Sequence, residues 1–186
     1  MLITISGTPG SGKTTVARLL SQRLDLPHVY AGDLYRKAAD DRGVTLAQFN
    51  ALCEQDHSID RSLDATMATY ARQGNVILEG RLAGFIALQE QVDALKVYLT
   101  ASAEVRARRV AQREGRDWQT VLELNHARQA SDAKRYREIY GYDLDDTSIY
   151  DLTLASDNQA PEALADQVAA EVVRRFGERA ARGTRA

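Results

Sequence analysis

The sequence predicts an α/β protein in which helices cover both faces of a parallel sheet of about five strands. Apolar runs of strand length alternate along the chain with segments whose apolar residues recur at helical spacing. This order is typical of parallel sheets built from β-α-β units. A glycine-rich segment, "GTPGSGKT", also joins the first apolar run directly to the first helical segment.

The strands are predicted from short apolar runs bounded by polar or glycine-containing segments. "LITIS" at 2–6 is the first, and the helical pattern at 15–24 follows it. A short extended segment at 27–31 comes next. The remaining strands are predicted at 75–79, 94–100 and 150–155.

The other helices are predicted from capping residues. Three lie between Leu34 and Gly74: the first ends near Gly43, the second opens at Thr45 in a capping-box pattern with Gln48, and the third opens at Ser58. Further helices are predicted at 82–89, from Ser102 to about Glu114, from Asp117 to Tyr140, and from Pro161 to Phe176. The tail at 177–186 is predicted to fray, because it has little apolar content.

Composition limits the classes of function. A net charge of −2 argues against a general nucleic-acid binder, which needs a basic surface. Cys53 is the only cysteine, which excludes an internal disulfide, and we expect it to be a small apolar residue. The N-terminus lacks the basic region of a signal peptide, and no apolar window is long enough to span a membrane. We therefore expect a cytoplasmic enzyme with one domain over 1–176.

The glycine-rich segment matches the phosphate-binding pattern G-x-x-x-x-G-K-[ST]. Its glycines allow backbone N–H groups to converge on phosphate, Lys13 reaches the β- and γ-phosphates, and the Thr14 hydroxyl ligates Mg²⁺. A strand before the loop and a helix after it are typical of the doubly wound sheet of P-loop NTP hydrolases. We expect the phosphates of ATP to be bound by Gly7, Thr8, Pro9, Gly10, Ser11, Gly12, Lys13, Thr14 and Thr15.

Three classes of phosphate-loop protein are compatible with this motif: a small-molecule kinase, a regulatory GTPase and a mechanical ATPase. A guanine-reading N-K-x-D tetrapeptide is absent from the sequence. The strand "NVIL" ends in Glu79-Gly80-Arg81 rather than in the Asp-Glu pair of many mechanical ATPases. A cation directly after an acid suits the binding of a second phosphate, so a kinase is favoured. An ATPase that acts on a partner remains the alternative.

Two all-helical insertions, near 34–73 and 102–140, are predicted to lie beside the phosphate loop and to exclude water during transfer. In the second insertion, Arg128, Asp132 and Arg135 are spaced to share one helical face. The carboxylate could hold one guanidinium while both point at phosphate. The alternative is a solvated face with ion pairs. A comparable stripe is predicted for Arg106, Arg109 and Arg113.

The segment "AGDLYR" at 31–36 is a third candidate site. We expect Asp33 to hold water bound to Mg²⁺ and Arg36 to bind the phosphate of the acceptor. Asp33 is also predicted to cap the following helix, and capping alone would explain its presence there.

Together these segments resemble the nucleoside monophosphate kinases, and among them the short, archaeal-type cytidylate kinases. The similarity extends over about residues 1–176. It is carried, in order along the chain, by "ISGTPGSGKTT", "AGDLYR", "SIDRSLD", "ILEGRLAG", "EVRARRVAQREG" and "RYREIYGYDLDDTSIYDL". The resemblance implies transfer of the γ-phosphoryl of ATP to CMP or dCMP with Mg²⁺, a monophosphate-binding lobe at 34–73, and a short lid at about 110–125. These kinases often act as monomers, which is expected here.

The resemblance also implies roles for individual residues. Arg36 and Arg81, with Gly80, would bind the CMP phosphate, while Asp33 and Glu79 would organise Mg²⁺ and its waters. Asp60 and Arg61 are the candidates for reading the base. The transferring group would be neutralised by Lys13, Arg109, Arg128 and Arg135, with Asp132 between the last two.

The sequence also departs from related families. Adenylate kinases carry an Asp-Gly-aromatic-Pro-Arg block where this chain has "EGRL", and the larger insert of the longer bacterial cytidylate kinases is absent. Shikimate and gluconate kinases share the phosphate loop but not "EGRLAG" or "DLDDTSIYDL". A kinase for UMP or AMP remains the alternative acceptor preference.

Overall fold

Five parallel strands form one sheet in the computed structural model, which describes residues 1–177. The spatial order is β2-β3-β1-β4-β5. Because β1 lies between strands that follow it in sequence, the strand order reverses there, and ligands of such sheets bind beyond the carboxyl ends at this point. The predicted α/β class and parallel sheet are confirmed. The strands are β1 Leu2–Gly7, β2 His28–Tyr30, β3 Val76–Glu79, β4 Ala94–Thr100 and β5 Leu152–Ala155.

Eight helices connect and follow these strands within the described residues, and each was predicted to within a few residues. Thr45 and Gln48 form the expected capping box. Ser102 and Asp117 accept hydrogen bonds from backbone N–H groups of the helices they precede, as predicted. The helices are α1 Lys13–Leu24, α2 Ala31–Asp40, α3 Leu46–Gln55, α4 His57–Gln73, α5 Ala83–Gln89, α6 Ala103–Glu114, α7 Trp118–Tyr140 and α8 Pro161–Phe176.

Two helix starts differ from prediction. Asp33 does not cap α2: the chain passes from β2 directly into the helix, so the extended Tyr30 is the N-cap and Asp33 lies in the first turn. The start of α4 is one residue earlier than predicted, because Asp56 is its N-cap and accepts a hydrogen bond from Ser58 N at 2.9 Å. Of the tail predicted to fray, only Gly177 belongs to the described residues.

Helices cover both faces of the sheet, as the alternation of side chains along strands requires. Ile3 and Ile5 pack on one face against α1 and α8. Leu2 and Leu78 belong to a second cluster on the opposite face, with residues of α4 and α5. Within residues 1–177, no helix combines the length and apolar character needed to cross a membrane.

The two insertions consist of α2–α4 and of the α6–α7 hairpin, and each has a small apolar cluster of its own. Cys53 is fully buried beside Phe49 in the first, as expected for a small apolar residue. Trp118, the only tryptophan, packs at the start of α7 against Val110 and its neighbours in the second. Trp118 therefore anchors the two helices of the hairpin to each other.

Candidate active site

The phosphate loop has a backbone that only glycine adopts easily. Gly7, Gly10 and Gly12 have φ values of 138°, 81° and 91°, in the region that L-residues with a Cβ rarely enter. A Cβ on Gly7 would also collide with the carbonyl oxygen of Leu99, and one on Gly10 with the backbone of Arg106. The loop is therefore held tightly between β4 and α6.

Side chains of the loop are bonded within the site. Lys13 Nζ donates to the Thr8 carbonyl oxygen at 2.7 Å. Burial lowers the pKa of Lys13 to about 7, although the charge of Glu79 acts in the opposite direction. From behind the loop, Ser156 Oγ donates to the Ser11 carbonyl oxygen at 2.9 Å. These contacts fix the loop before the first turn of α1.

Glu79 ends β3 directly beside the loop. It is fully buried, and its two oxygens have different partners: Thr14 Oγ1 donates to Oε1 at 2.7 Å, and His28 Nε2 lies 2.9 Å from Oε2. A hydroxyl and a carboxylate are hard oxygen donors of the kind Mg²⁺ prefers. Magnesium sites commonly combine one or two carboxylates with substrate phosphates and water. Thr14 and Glu79 fit such a site. Residues 1–177 contain no group of three or more His, Cys, Asp and Glu side chains arranged to hold a metal ion by themselves.

A chain of ion pairs continues from β3 into the insertions. Arg81 forms an ion pair with Asp132 of α7. Asp132 Oδ1 also accepts from Arg135 Nη2 at 2.9 Å, and Arg135 Nε donates to Asp60 Oδ2 of α4 at 3.0 Å. Burial lowers the pKa of Arg81 to about 9, and the charge of Arg128 adds to this effect. Carboxylates and guanidiniums thus alternate from the end of β3 to α4.

A comparison with protein families places the chain among known enzymes. Residues 2–158 match the model of the cytidylate kinase-like family. The chain belongs to this family. A cytidylate kinase from Halobacterium salinarum is 44% identical over 169 residues, which are 90% of this chain and 87% of that protein. One from Methanopyrus kandleri is 45% identical over 83% of each chain.

A likeness to solved kinase structures shows the fold. A gluconokinase from Sinorhizobium meliloti superimposes with a TM-score of 0.62 at 15% identity, covering 95% of this chain and 93% of that one. At this level of identity the likeness confirms the P-loop kinase fold of this cytidylate kinase-like protein and nothing about its substrate.

The arginine stripe of α7 contains one predicted contact and one that was not predicted. Asp132 holds Arg135, one of the two guanidiniums expected beside it, and its other partner is Arg81, from outside the helix. Arg128 is exposed. The carboxylate selects Arg81 because β3 and α7 bring that guanidinium to it, whereas sequence spacing reveals only partners on the same helix.

The stripe predicted on α6 does not form one phosphate-facing surface. Arg106 is 7% exposed, and its backbone packs against Gly10. Both Nη atoms of Arg109 donate to Ser156, at 2.9 Å and 2.6 Å, so Arg109 supports the residue behind the phosphate loop. Arg113 is exposed and paired with Glu114. Because α6 packs against the phosphate loop, arginines on successive turns of this helix lie in different environments.

The residues expected to bind the acceptor divide into three groups. Asp33 and Arg36 bond to each other at 2.6 Å on the exposed side of α2. Gly80 lies in close contact with Ala31, where a Cβ would approach to 2.9 Å. Asp60 is only 2% exposed because its carboxylate is paired with Arg135, whereas Arg61, one position later on α4, is exposed.

Several site residues were not predicted. His28 is bound to Glu79 from β2, and Ser156 lies beneath the loop. Asp64 of α4 accepts a hydrogen bond from Tyr140 Oη at 2.8 Å at the edge of a cavity. The partners of each pair are far apart in sequence, so no local pattern indicates them. The only signal available was the position of His28 beside "AGDLYR", in the strand before the site.

Proposed function

We propose that this enzyme transfers the γ-phosphoryl of ATP to CMP or dCMP, giving ADP and CDP or dCDP. The family and the two archaeal relatives named cytidylate kinase support this acceptor. The observation that carries the proposal is the position of Arg81. Its side chain lines one narrow cleft together with Gly7 and Thr8 of the phosphate loop. A phosphate bound by Arg81 would therefore face the phosphates of a nucleotide in the loop.

We propose the following roles for the remaining residues. Lys13, on the donor side, and Arg128 and Arg135, from α7, would neutralise the charge as it passes from donor to acceptor. Arg36 and Arg81 would bind the acceptor phosphate. Asp132 pairs with both Arg81 and Arg135. It would therefore fix the position of the guanidinium that binds the acceptor relative to the one that neutralises charge.

The metal belongs to the donor side of the site. Thr14 would ligate Mg²⁺ directly, with Glu79 and Asp33 acting through bound water, and His28 would keep the Glu79 carboxylate oriented. The chemistry that bound Mg²⁺ supplies is neutralisation of charge on the β- and γ-phosphates.

The transfer needs positioning rather than a dedicated base. The acceptor is already a phosphate anion at neutral pH, and in-line transfer spreads charge over three equatorial oxygens. Water must be excluded, or ATP is hydrolysed instead. We propose that the lobe at 34–73 and the lid at about 110–125, at the tip of the α6–α7 hairpin, close over the substrates for this purpose. We further propose a monomeric cytoplasmic enzyme that binds neither nucleic acid nor membrane.

The test is an ADP-release assay with ATP and Mg²⁺, run separately with CMP, dCMP, UMP, AMP, GMP and no acceptor. Release that depends on CMP or dCMP and exceeds the other acceptors at least about tenfold would support the proposal. A preference for UMP or AMP would show that the protein is a nucleoside monophosphate kinase with a different acceptor. Slow release that is independent of any acceptor would replace the proposal with an ATPase that acts on a partner.

A further inference from the structure

A cavity of about 220 Å³ lies between α4 and α5 and is bordered by tyrosines that end α7 or follow it. We call it the α4–α5 cavity. Its wall combines charged, aromatic and aliphatic groups, as sites for small polar ligands do. Among the residues that line it are Arg61, Asp64, Ala68, Leu82, Tyr140 and Tyr142.

The cavity lies next to the residues of the active site. Leu82 lines it, while the preceding residue, Arg81, lines the cleft beside Gly7 and Thr8. Two residues adjacent in sequence, Arg81 and Leu82, therefore connect the cleft at the phosphate loop to the cavity. If Arg81 binds the phosphate of the acceptor, as the proposed function requires, the nucleoside part of the acceptor extends toward the cavity. The inference below rests on that function.

Among residues 1–177, two carboxylates line this cavity. Glu90 is paired with Arg72 at 2.6 Å, so the carboxylate that remains for a ligand is that of Asp64. Tyr140 Oη donates to its Oδ2 at 2.8 Å, which orients the group and leaves Oδ1 as the oxygen that can meet a ligand. Asp60, the acid predicted from sequence to read the base, has its carboxylate committed to Arg135. The acidic group placed to recognise a base is therefore one helical turn further along α4.

The aromatic residues beside Asp64 form a stacked series. The rings of Tyr140 and Tyr142 lie 5.3 Å apart at 25°, and those of Tyr142 and Phe85 lie 4.6 Å apart at 22°. A planar base can pack edge-to-face against aromatic rings while its own edge meets a polar group. The cavity thus offers aromatic side chains with one oriented hydrogen-bond acceptor beside them.

We infer that Asp64 determines the base preference of the enzyme, with its Oδ1 accepting a hydrogen bond from the exocyclic amino group of cytosine. An ionised carboxylate only accepts hydrogen bonds. Uracil carries a carbonyl oxygen where cytosine carries the amino group, so UMP would set two acceptors against each other. A site that leaves buried polar groups unpaired discriminates strongly. Tyr140 is the positioning residue that holds the carboxylate in place.

The decisive variant is Asp64→Asn, assayed at pH 8 with CMP and UMP. The replacement has the same shape, but with its oxygen still bound to Tyr140 it presents an NH₂ donor, which suits uracil. We expect the ratio of kcat/KM for CMP to that for UMP to fall at least about tenfold. The matched control is Asp166→Asn, an identical change on an exposed residue of α8, which should leave the ratio within about twofold.

A second variant and a direct binding measurement make the test independent of one substitution. Tyr140→Phe keeps the carboxylate but removes its anchor, so KM for CMP should rise roughly fivefold with kcat unchanged. Calorimetric titration of each folded variant with CMP and UMP, without ATP, should show the same change in preference.

The outcomes separate this inference from the proposed function. If wild type prefers CMP and Asp64→Asn keeps that preference within about twofold, Asp64 does not read the base and the inference is wrong. If wild type shows no ADP release dependent on CMP, the proposed function fails and the inference fails with it. A preference for CMP that is lost in Asp64→Asn and kept in Asp166→Asn supports both.

Discussion

Thr14 Oγ1 donates a hydrogen bond to Glu79 Oε1 over 2.7 Å, which joins the first turn of α1 to the end of β3. The contact arises because β1 and β3 are parallel neighbours, with Ile5 opposite Glu79 in the register. The phosphate loop and the acid that ends β3 therefore meet at one edge of the sheet. His28 completes the arrangement from β2, so α1 and β2 together fix the carboxylate that ends β3.

Glu79→Gln should lower the rate of the enzyme and raise the Mg²⁺ concentration that it requires. The amide can still accept from Thr14, so the local fold should persist, but the negative charge that orders metal-bound water is lost. We expect kcat to fall roughly 10-fold to 100-fold and the Mg²⁺ concentration at half-maximal rate to rise. Magnesium titrations of the initial rate would measure both. Glu162→Gln, on the exposed first turn of α8, serves as the control. If the magnesium dependence of Glu79→Gln is unchanged, Glu79 does not act at the metal site.

Much of the fold could be predicted because its signals are local. "LITIS" is an apolar run of strand length, Thr45 and Gln48 lie in the first turn of one helix, and the phosphate loop is a contiguous motif. The α/β class and the family were both confirmed. The junction of β2 and α2 was predicted incorrectly, because the helix begins at Ala31 without a loop or a polar N-cap to mark it.

The site was predictable only where its residues are neighbours in sequence. The spacing of Arg128, Asp132 and Arg135 indicated a shared face, but the partner that Asp132 takes from outside α7 is Arg81. The pairing of Asp64 with Tyr140 spans 76 positions. Such pairs depend on how the insertions pack on the core, which helical periodicity does not specify. The assignments of individual residues to ATP, CMP and Mg²⁺ stay predictions.

Asp60→Ala should destabilise the protein strongly. The variant leaves the guanidinium of Arg135, only 2% exposed, with Asp132 as its remaining carboxylate partner. Removing one member of a buried ion pair costs about 3 kcal/mol of unfolding free energy, because the other charge stays buried. Urea denaturation followed by circular dichroism would measure this cost.

The comparison for that measurement is Asp166→Ala, which removes an exposed carboxylate paired with Arg23 at 2.6 Å. Surface pairs contribute about 0–1 kcal/mol, so this variant should remain close to wild type. Equal losses for the two variants would mean that the ion-pair chain from α4 to α7 does not stabilise the insertions.

Asp64 should make stability depend on pH. Burial raises the pKa of Asp64 to about 7, against the opposing effects of the hydrogen bond from Tyr140 and the charge of Arg135, while the charge of Asp60 adds to the rise. The other charged groups around the cavity are Arg61, Arg72 and Glu90.

The sign follows from proton binding in each state. Between about pH 4, near the ordinary pKa of an aspartate, and pH 7, the folded protein holds a proton that the unfolded chain has released. Stability is therefore fully present below this window and decreases as pH rises through it. Asp64→Asn lacks this titration, so its stability relative to wild type should increase between pH 5 and pH 8 in urea denaturation. A difference that stays constant between these pH values would contradict the raised pKa.

Arg81 and Arg128 should have separable kinetic roles. Arg81 is half-buried beside Asp132 and lines the cleft next to Thr8, whereas Arg128 is exposed on α7. Arg81→Ala should raise KM for CMP roughly 10-fold to 100-fold, the loss of a charged hydrogen bond, with little change in KM for ATP. Arg128→Ala should instead lower kcat on the order of 10²–10³-fold, by analogy with other preorganised charge stabilisers.

Steady-state kinetics with each substrate varied in turn would distinguish the two roles. Arg174→Ala, on the exposed side of α8 and paired with Glu171, controls for the loss of an arginine and should match wild type. If Arg81→Ala raises the KM values for CMP and ATP equally, Arg81 does not bind the acceptor specifically. A near-normal kcat for Arg128→Ala would show that the transferring group is neutralised without it, which would leave Lys13 and Arg135 as the groups that neutralise it.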